Sequence, residues 1–210
     1  MKSKILVTSA VMVSLAAIVW AQQNSTAAVR NNTDKTSQAT VDKITANWLK
    51  EPKMVCKTMI SKYGLPDEAT DTTLTWFNNG PWKYSKLENV EIPHNFPMPH
   101  HDMLQQGIDW KVPSSMVDDL SYYDGSVIVD RTRGEVSARC DKEEANFLAL
   151  NLARDIVSKK RNINGARKFY HETMMQMKAG KLDNEHKPYV TGLMFTPSKR
   201  SAGDPDVPSM

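Results

Sequence analysis

The stretch His94-Asn95-Phe96-Pro97-Met98-Pro99-His100-His101-Asp102 concentrates the ligand chemistry of this chain. Three of its five histidines lie here within nine residues, beside a carboxylate and a thioether. Imidazole nitrogen and carboxylate oxygen are the usual ligands of zinc, iron, nickel or copper, and the sulfur of Met98 adds a preference for Cu(I). Pro93, Pro97 and Pro99 stiffen the backbone, which lowers the entropy lost when ligands are held in place. His94, His100, His101 and Asp102 are therefore the candidate ligands of a transition metal. Their spacing matches no recurring signature such as H-E-x-x-H, and histidines in a proline-rich loop also serve as hydrogen-bonded packing residues.

A second group lies further along: Asp124, Asp130, Arg131, Arg133, Glu135, Arg139 and Asp141. Arg131, Arg133 and Arg139 could hold a phosphate or carboxylate bidentately. Opposite charges on a hairpin also pair across strands, which needs no ligand. Trp76, Trp82 and Trp110 with Tyr84 could line a carbohydrate or peptide groove; in the strands of a small domain they fill the core. No serine stands in a nucleophile-elbow context, so Ser-His-Asp hydrolysis has no support in the sequence.

Cys56 and Cys140, the only cysteines, are 84 positions apart. In an oxidising compartment such a pair invites a disulfide, worth about 4 kcal/mol by closing a long loop. The alternative is two buried thiols, Cys56 falling on an apolar helix face. With no C-x-x-C in the chain, neither a thioredoxin-type centre nor a thiolate zinc knuckle is expected.

The elements that must position these groups follow from periodicity. Val41, Ile44 and Trp48 keep helical spacing, as do Cys56, Met59, Ile60 and Tyr63, with Gly64 as the stop. Strand-like pieces at 72–77 and 82–92 flank the turn Asn78-Asn79-Gly80-Pro81. The prolines of 93–99 argue against a place inside a sheet. A short strand at 108–112, a short helix at 114–123 and a hairpin of 126–131 with 135–140 come next. The clearest helix follows, with Ala145, Leu148, Ala149, Leu152, Ala153 and Ile156 on one face and Asp141 and Glu144 as a capping-box pair. Another helix carries Ala166, Phe169, Tyr170, Thr173, Met174 and Met177, and 189–195 reads as a last strand. Strands between helices, joined by hairpin-scale turns, predict a single α+β domain: a small antiparallel sheet packed against several helices. Neither a Rossmann fingerprint nor a P-loop is present.

Lys2 and Lys4 precede an uncharged apolar run from Ile5 to Val19, and Val19-Trp20-Ala21 suits cleavage before Gln22. Residues 1–21 thus read as a signal peptide of a periplasmic or secreted protein, with an uncleaved anchor as the alternative. The run is shorter than the about 20 residues of a bilayer span, so no transmembrane span is expected after cleavage. Residues 22–40 read as a polar linker, 41–196 as the domain and 197–210 as a tail. Within 41–196 the 21 basic and 21 acidic residues cancel, which leaves no phosphate-neutralising excess for nucleic acid.

Four motifs, NNGPW at 78–82, PHNFPMPH at 93–100, YDGSVIVDRTRGE at 123–135 and ARCDKEE at 138–144, resemble an uncharacterised family of exported bacterial proteins. The similarity runs from about Met54 to Phe195. It implies a single domain of unknown function and brings no activity, cofactor or catalytic residue. Two functions from different classes are expected: a transition-metal-binding protein using the His/Pro-rich loop, or a non-catalytic interaction module for a cell-envelope partner using the hairpin and the tryptophan-bearing strands. No residue pattern decides whether the chain is an enzyme.

Overall fold

The computed structural model describes residues 36–198; the expected signal peptide, most of the expected linker and the tail from 199 lie outside them. The first helix, α1 (Gln38–Thr45), begins three residues before the expected domain start, because the Ser37 side chain caps it by accepting from the Thr40 N–H. The second, α2 (Lys50–Tyr63), buries Pro52, Cys56 and Met59 and stops at Gly64, whose φ of +78° suits a residue without a side chain.

Six antiparallel strands follow: β1 (Glu68–Thr70), β2 (Thr73–Phe77), β3 (Tyr84–His94), β4 (His100–Asp109), β5 (Val127–Asp130) and β6 (Glu135–Cys140). They form one sheet in the order β1-β2-β3-β4-β6-β5. Register places Leu74, Leu87, Leu104 and Cys140 in a row across one face, with Trp76, Ser85, Gln106 and Ala138 in the next. The opposite face carries Thr75, Lys86, Gln105 and Arg139. Gly107 belongs to that second face because the Tyr84 ring lies on it; a Cβ there would stand 2.4 Å from the ring.

Most of the apolar packing falls on the first face. The α2 residues Cys56 and Met59 join Leu74, Trp76, Leu87 and Leu104 in one core cluster. A larger cluster surrounds α4 (Glu143–Val157), which packs on β4, β5 and β6 and is flanked by α3 (Val117–Tyr123), α5 (Ile163–Lys178) and α6 (Lys187–Thr191). The architecture is a single α+β domain with one antiparallel sheet. Among the described residues, no helix is long and apolar enough to cross a membrane.

Several local expectations change. The proline-rich segment does enter the sheet at its margin: Pro93 pairs with His101 in the β3–β4 hairpin. Past Asn89, β3 has no β2 partner, so a residue lacking an N–H leaves no ladder bond unmade there. The piece expected as a last strand is instead helix α6, with Pro188 in its first turn, where no N–H is needed. Asn151 on α4 donates to the carbonyls of Tyr189 and Gly192 and fixes the segment there. The residue before α4 is Lys142 and makes no side-chain cap; Asp141, expected to cap, pairs with Lys142 and accepts from the Cys140 thiol. Trp76, Trp82 and Trp110 are all buried, so they form core and line no groove. The indole of Trp76 donates to the Gly64 carbonyl, and that of Trp82 to Glu143.

Candidate metal centre

The site grows out of a hairpin. His94 ends β3 and His100 begins β4, and the two are direct cross-strand partners. Strand alternation then puts Asp102 on the same side as His100 and turns His101 to the other. The connecting loop is held from below. Phe96 lies edge-on to Tyr170 at 5.2 Å, and the guanidinium of Arg167 stacks 3.8 Å from the Phe96 ring centre. The Phe96–Pro97 peptide bond is cis.

His94, His100 and Asp102 bring one ligand atom each to within 4.8 Å of one another. The Nδ1 of His94 is 3.3 Å from Asp102 Oδ2, and the Nε2 of His100 is 3.1 Å from Asp102 Oδ1. Each group is also oriented from behind. His100 Nδ1–H donates to the Met98 carbonyl at 2.8 Å, which leaves Nε2 facing the cluster. His94 Nε2 stands 3.7 Å from the Asp124 carboxylate, and the Ser126 hydroxyl donates to Asp102 Oδ2. Ser126 N–H in turn donates to Asp124 at 2.9 Å. Outer partners of this kind set the tautomer and direction of metal-binding imidazoles and carboxylates. Asp102 is 2% exposed.

Charge balance in the cluster follows from burial and contact. Burial pushes the Asp102 carboxyl up, but hydrogen bonds from His100, His94 and Ser126 outweigh it and hold the group below the usual carboxylate range. Burial lowers His100, and its contacts with Asp102 and the Met98 carbonyl more than compensate, so its imidazolium is favoured. Asp124 moves the other way, pushed up by burial against the opposing bond from Ser126 N–H.

His101, the fourth expected ligand, is not in the cluster. Its Nδ1 meets Glu51 Oε2, on α2, at 3.0 Å. Both His100 and His101 line a cavity of about 510 Å³ between α2, the start of β4 and the start of α4, floored by Met59, Met103 and Leu104. From Met98 the cluster receives the backbone carbonyl, and no contact of the thioether is seen there.

The three arginines all belong to the β5–β6 hairpin. Arg131 and Arg133 belong to the β5–β6 turn, where Arg133 N–H donates to Asp130 and its guanidinium lies 3.6 Å from the same carboxylate. Arg139 stands four residues beyond Glu135 on β6, about 14 Å along the strand at its usual rise, opposite Gln105.

The expected disulfide is not formed: Cys56 and Cys140 are both free and buried. Cys56 packs in the α1–α2 cluster with Val41 and Met59, whereas Cys140 sits at the end of β6 beside His100 and Asp141. Burial, then the charge of Asp42, pushes the Cys56 thiol up to about 11, and burial pushes Cys140 well above its ordinary range. The native protein is therefore expected to resist thiol reagents at neutral pH and to yield two thiol equivalents once unfolded without reductant. No free thiol in the unfolded chain would restore the disulfide.

Asp124, Ser126 and Cys140 are the site residues that sequence spacing missed. In the sequence Asp124 stands among the hairpin charges and Cys140 reads as a disulfide partner, because nothing local ties either to the His/Pro segment. Comparison with protein families, curated proteins and solved structures gives no match.

Proposed function

We propose that this chain is an exported protein that binds one transition-metal ion through His94, His100 and Asp102. The observation that carries the reading is the convergence of His94, His100 and Asp102, whose ligand atoms lie within 4.8 Å of one another while the far nitrogens of both imidazoles face acceptors of their own. Nitrogen and carboxylate donors together favour d-block ions over magnesium or calcium. Export rests on the basic start, the apolar run and the Val19-Trp20-Ala21 site.

Nucleophilic catalysis fits the same atoms less well. The Ser126 hydroxyl gives its hydrogen to Asp102, not to His94, and Ser126 and Cys140 are both buried. Of the surface expected for an interaction module, the hairpin remains exposed at Ile128, while the tryptophans lie in the core.

Elemental analysis of the full chain purified from metal-replete cells tests the reading. About one equivalent of a d-block metal is expected. It should vanish in the His94→Ala, His100→Ala double variant and persist in His101→Ala. Metal-free protein, or metal retained by the double variant, would overturn the proposal.

A further inference from the structure

The cavity between α2, the start of β4 and the start of α4 is distinct from the histidine cluster beside it. Its volume of about 510 Å³ falls within the about 300–1,000 Å³ of sites that take drug-sized molecules. His100 supplies part of one wall, but His94 and Asp102 take no part in the lining. The opposite wall comes from α2, where Glu51, Met54, Val55, Thr58, Met59 and Lys62 fall on one stripe at the spacing of a helix face. Val55 and Met59 meet Met103 and Leu104 of β4 in an apolar floor, and Met54, 52% exposed, carries it out to the surface. Unbranched thioethers adapt to apolar bodies of different shape.

Charge decides what kind of molecule fits. Four carboxylates line the cavity, those of Glu51, Asp141, Glu143 and Glu144, against two lysines, Lys62 and Lys142. Both lysines are already engaged: Lys62 bonds Glu143, and Lys142 lies 2.8 Å from Asp141. Glu51 and Glu144 are the excess. Glu51 faces the His101 imidazole at 3.0 Å, and Glu144 is exposed in the first turn of α4.

We propose that this cavity binds an organic cation with an apolar body, of the lipophilic amine class, its chain against the methionine-lined floor and its charge toward Glu51 and Glu144. An anionic amphiphile of the same size would meet like charge at the rim, and a bare metal ion would leave the apolar floor unused. The site goes beyond metal binding and does not rest on it.

Calorimetric titration of the full chain with three ligands of one chain length, octylammonium, 1-octanol and octanoate, tests the assignment. The cation is expected to bind one to one and about five- to tenfold more tightly than the alcohol, the gain expected of two partly screened carboxylates. Octanoate should bind most weakly, and added salt should narrow the spread. Replacing both excess carboxylates, Glu51→Gln with Glu144→Gln, should bring cation and alcohol to the same affinity. Thr58→Trp changes an exposed position on the lining stripe and should close the cavity to all three. A cation that does not bind, or binds no more tightly than the alcohol or octanoate, would overturn the proposal. So would a preference that survives in the glutamine variant, or binding that persists in Thr58→Trp. Should Thr58→Trp not fold, the wild-type ranking and its loss in the glutamine variant still decide.

Discussion

Replacing Glu143 by alanine is expected to destabilise the fold by about 3–5 kcal/mol, the range seen when one partner of a buried charged network is removed. Glu143 opens α4 and is buried, yet its carboxylate is fully engaged. One oxygen accepts from the Tyr63 hydroxyl, the Trp82 indole at 2.6 Å and Gln106 at 3.4 Å; the other accepts from Lys62. A single side chain thus ties α2, the approach to β3, strand β4 and α4 together. Truncation strands the buried Trp82 indole N–H, worth about 1–3 kcal/mol, and takes an acceptor from the Tyr63 hydroxyl, while Gln106 keeps its bond to Ser85. It also removes a negative charge from the first turn of a helix, worth about 0.3–1 kcal/mol. Burial and then Glu143 push the Tyr63 phenol above its ordinary range, so that hydroxyl stays a donor at any ordinary pH. Glu143→Gln keeps an acceptor and the shape, and its loss should be clearly smaller. Urea melts with an unchanged m-value read both variants. A loss below about 1 kcal/mol for the alanine variant would mean that the network does not hold these elements together.

The second large effect is expected at Leu152→Ala, at about 2–5 kcal/mol from lost burial plus the cavity left behind. Leu152 is fully buried in the cluster around α4, where sheet, α5 and α6 close on the helix from three sides. So little of α4 faces solvent that Asn146, Asn151 and Asp155 are buried as well. Arg154 is the exposed contrast. Its guanidinium lies 5.8 Å from the Phe195 ring centre, and its removal should cost no more than about 1 kcal/mol. The same urea melts order the two. An Arg154→Ala variant less stable than Leu152→Ala would mean that the packed side of α4 is misassigned.

Those buried polar residues mark where periodicity stops being enough. The spacing of Ala145, Leu148, Ala149, Leu152, Ala153 and Ile156 identifies α4 and its apolar stripe without a structure. Asn146 and Asn151 read as solvent-facing by the same rule. In the fold, Asn146 donates to the Leu104 carbonyl and to Gln106, and Asn151 to two carbonyls near α6. Their partners lie about 40 positions away, and no local pattern announces them. The 189–195 segment fails as a strand for a related reason: its apolar residues show that it is buried, but the shape it takes is set by Pro188 and Asn151.

The candidate site divides along the same line. Spacing alone singles out His94, His100, His101 and Asp102, four candidate ligands within nine residues that chain connectivity keeps close in any fold. Which side each faces already depends on strand pairing: alternation along β4 keeps Asp102 with His100 and turns His101 towards Glu51 on α2. Asp124, Ser126 and Cys140 reach the cluster only through tertiary structure. The antiparallel register of β6 against β4 and β5 brings in residues up to 46 positions from His94. Register is a long-range property, fixed by which faces the helices cover, and a shift of one residue would have carried Cys140 to the opposite side of the sheet.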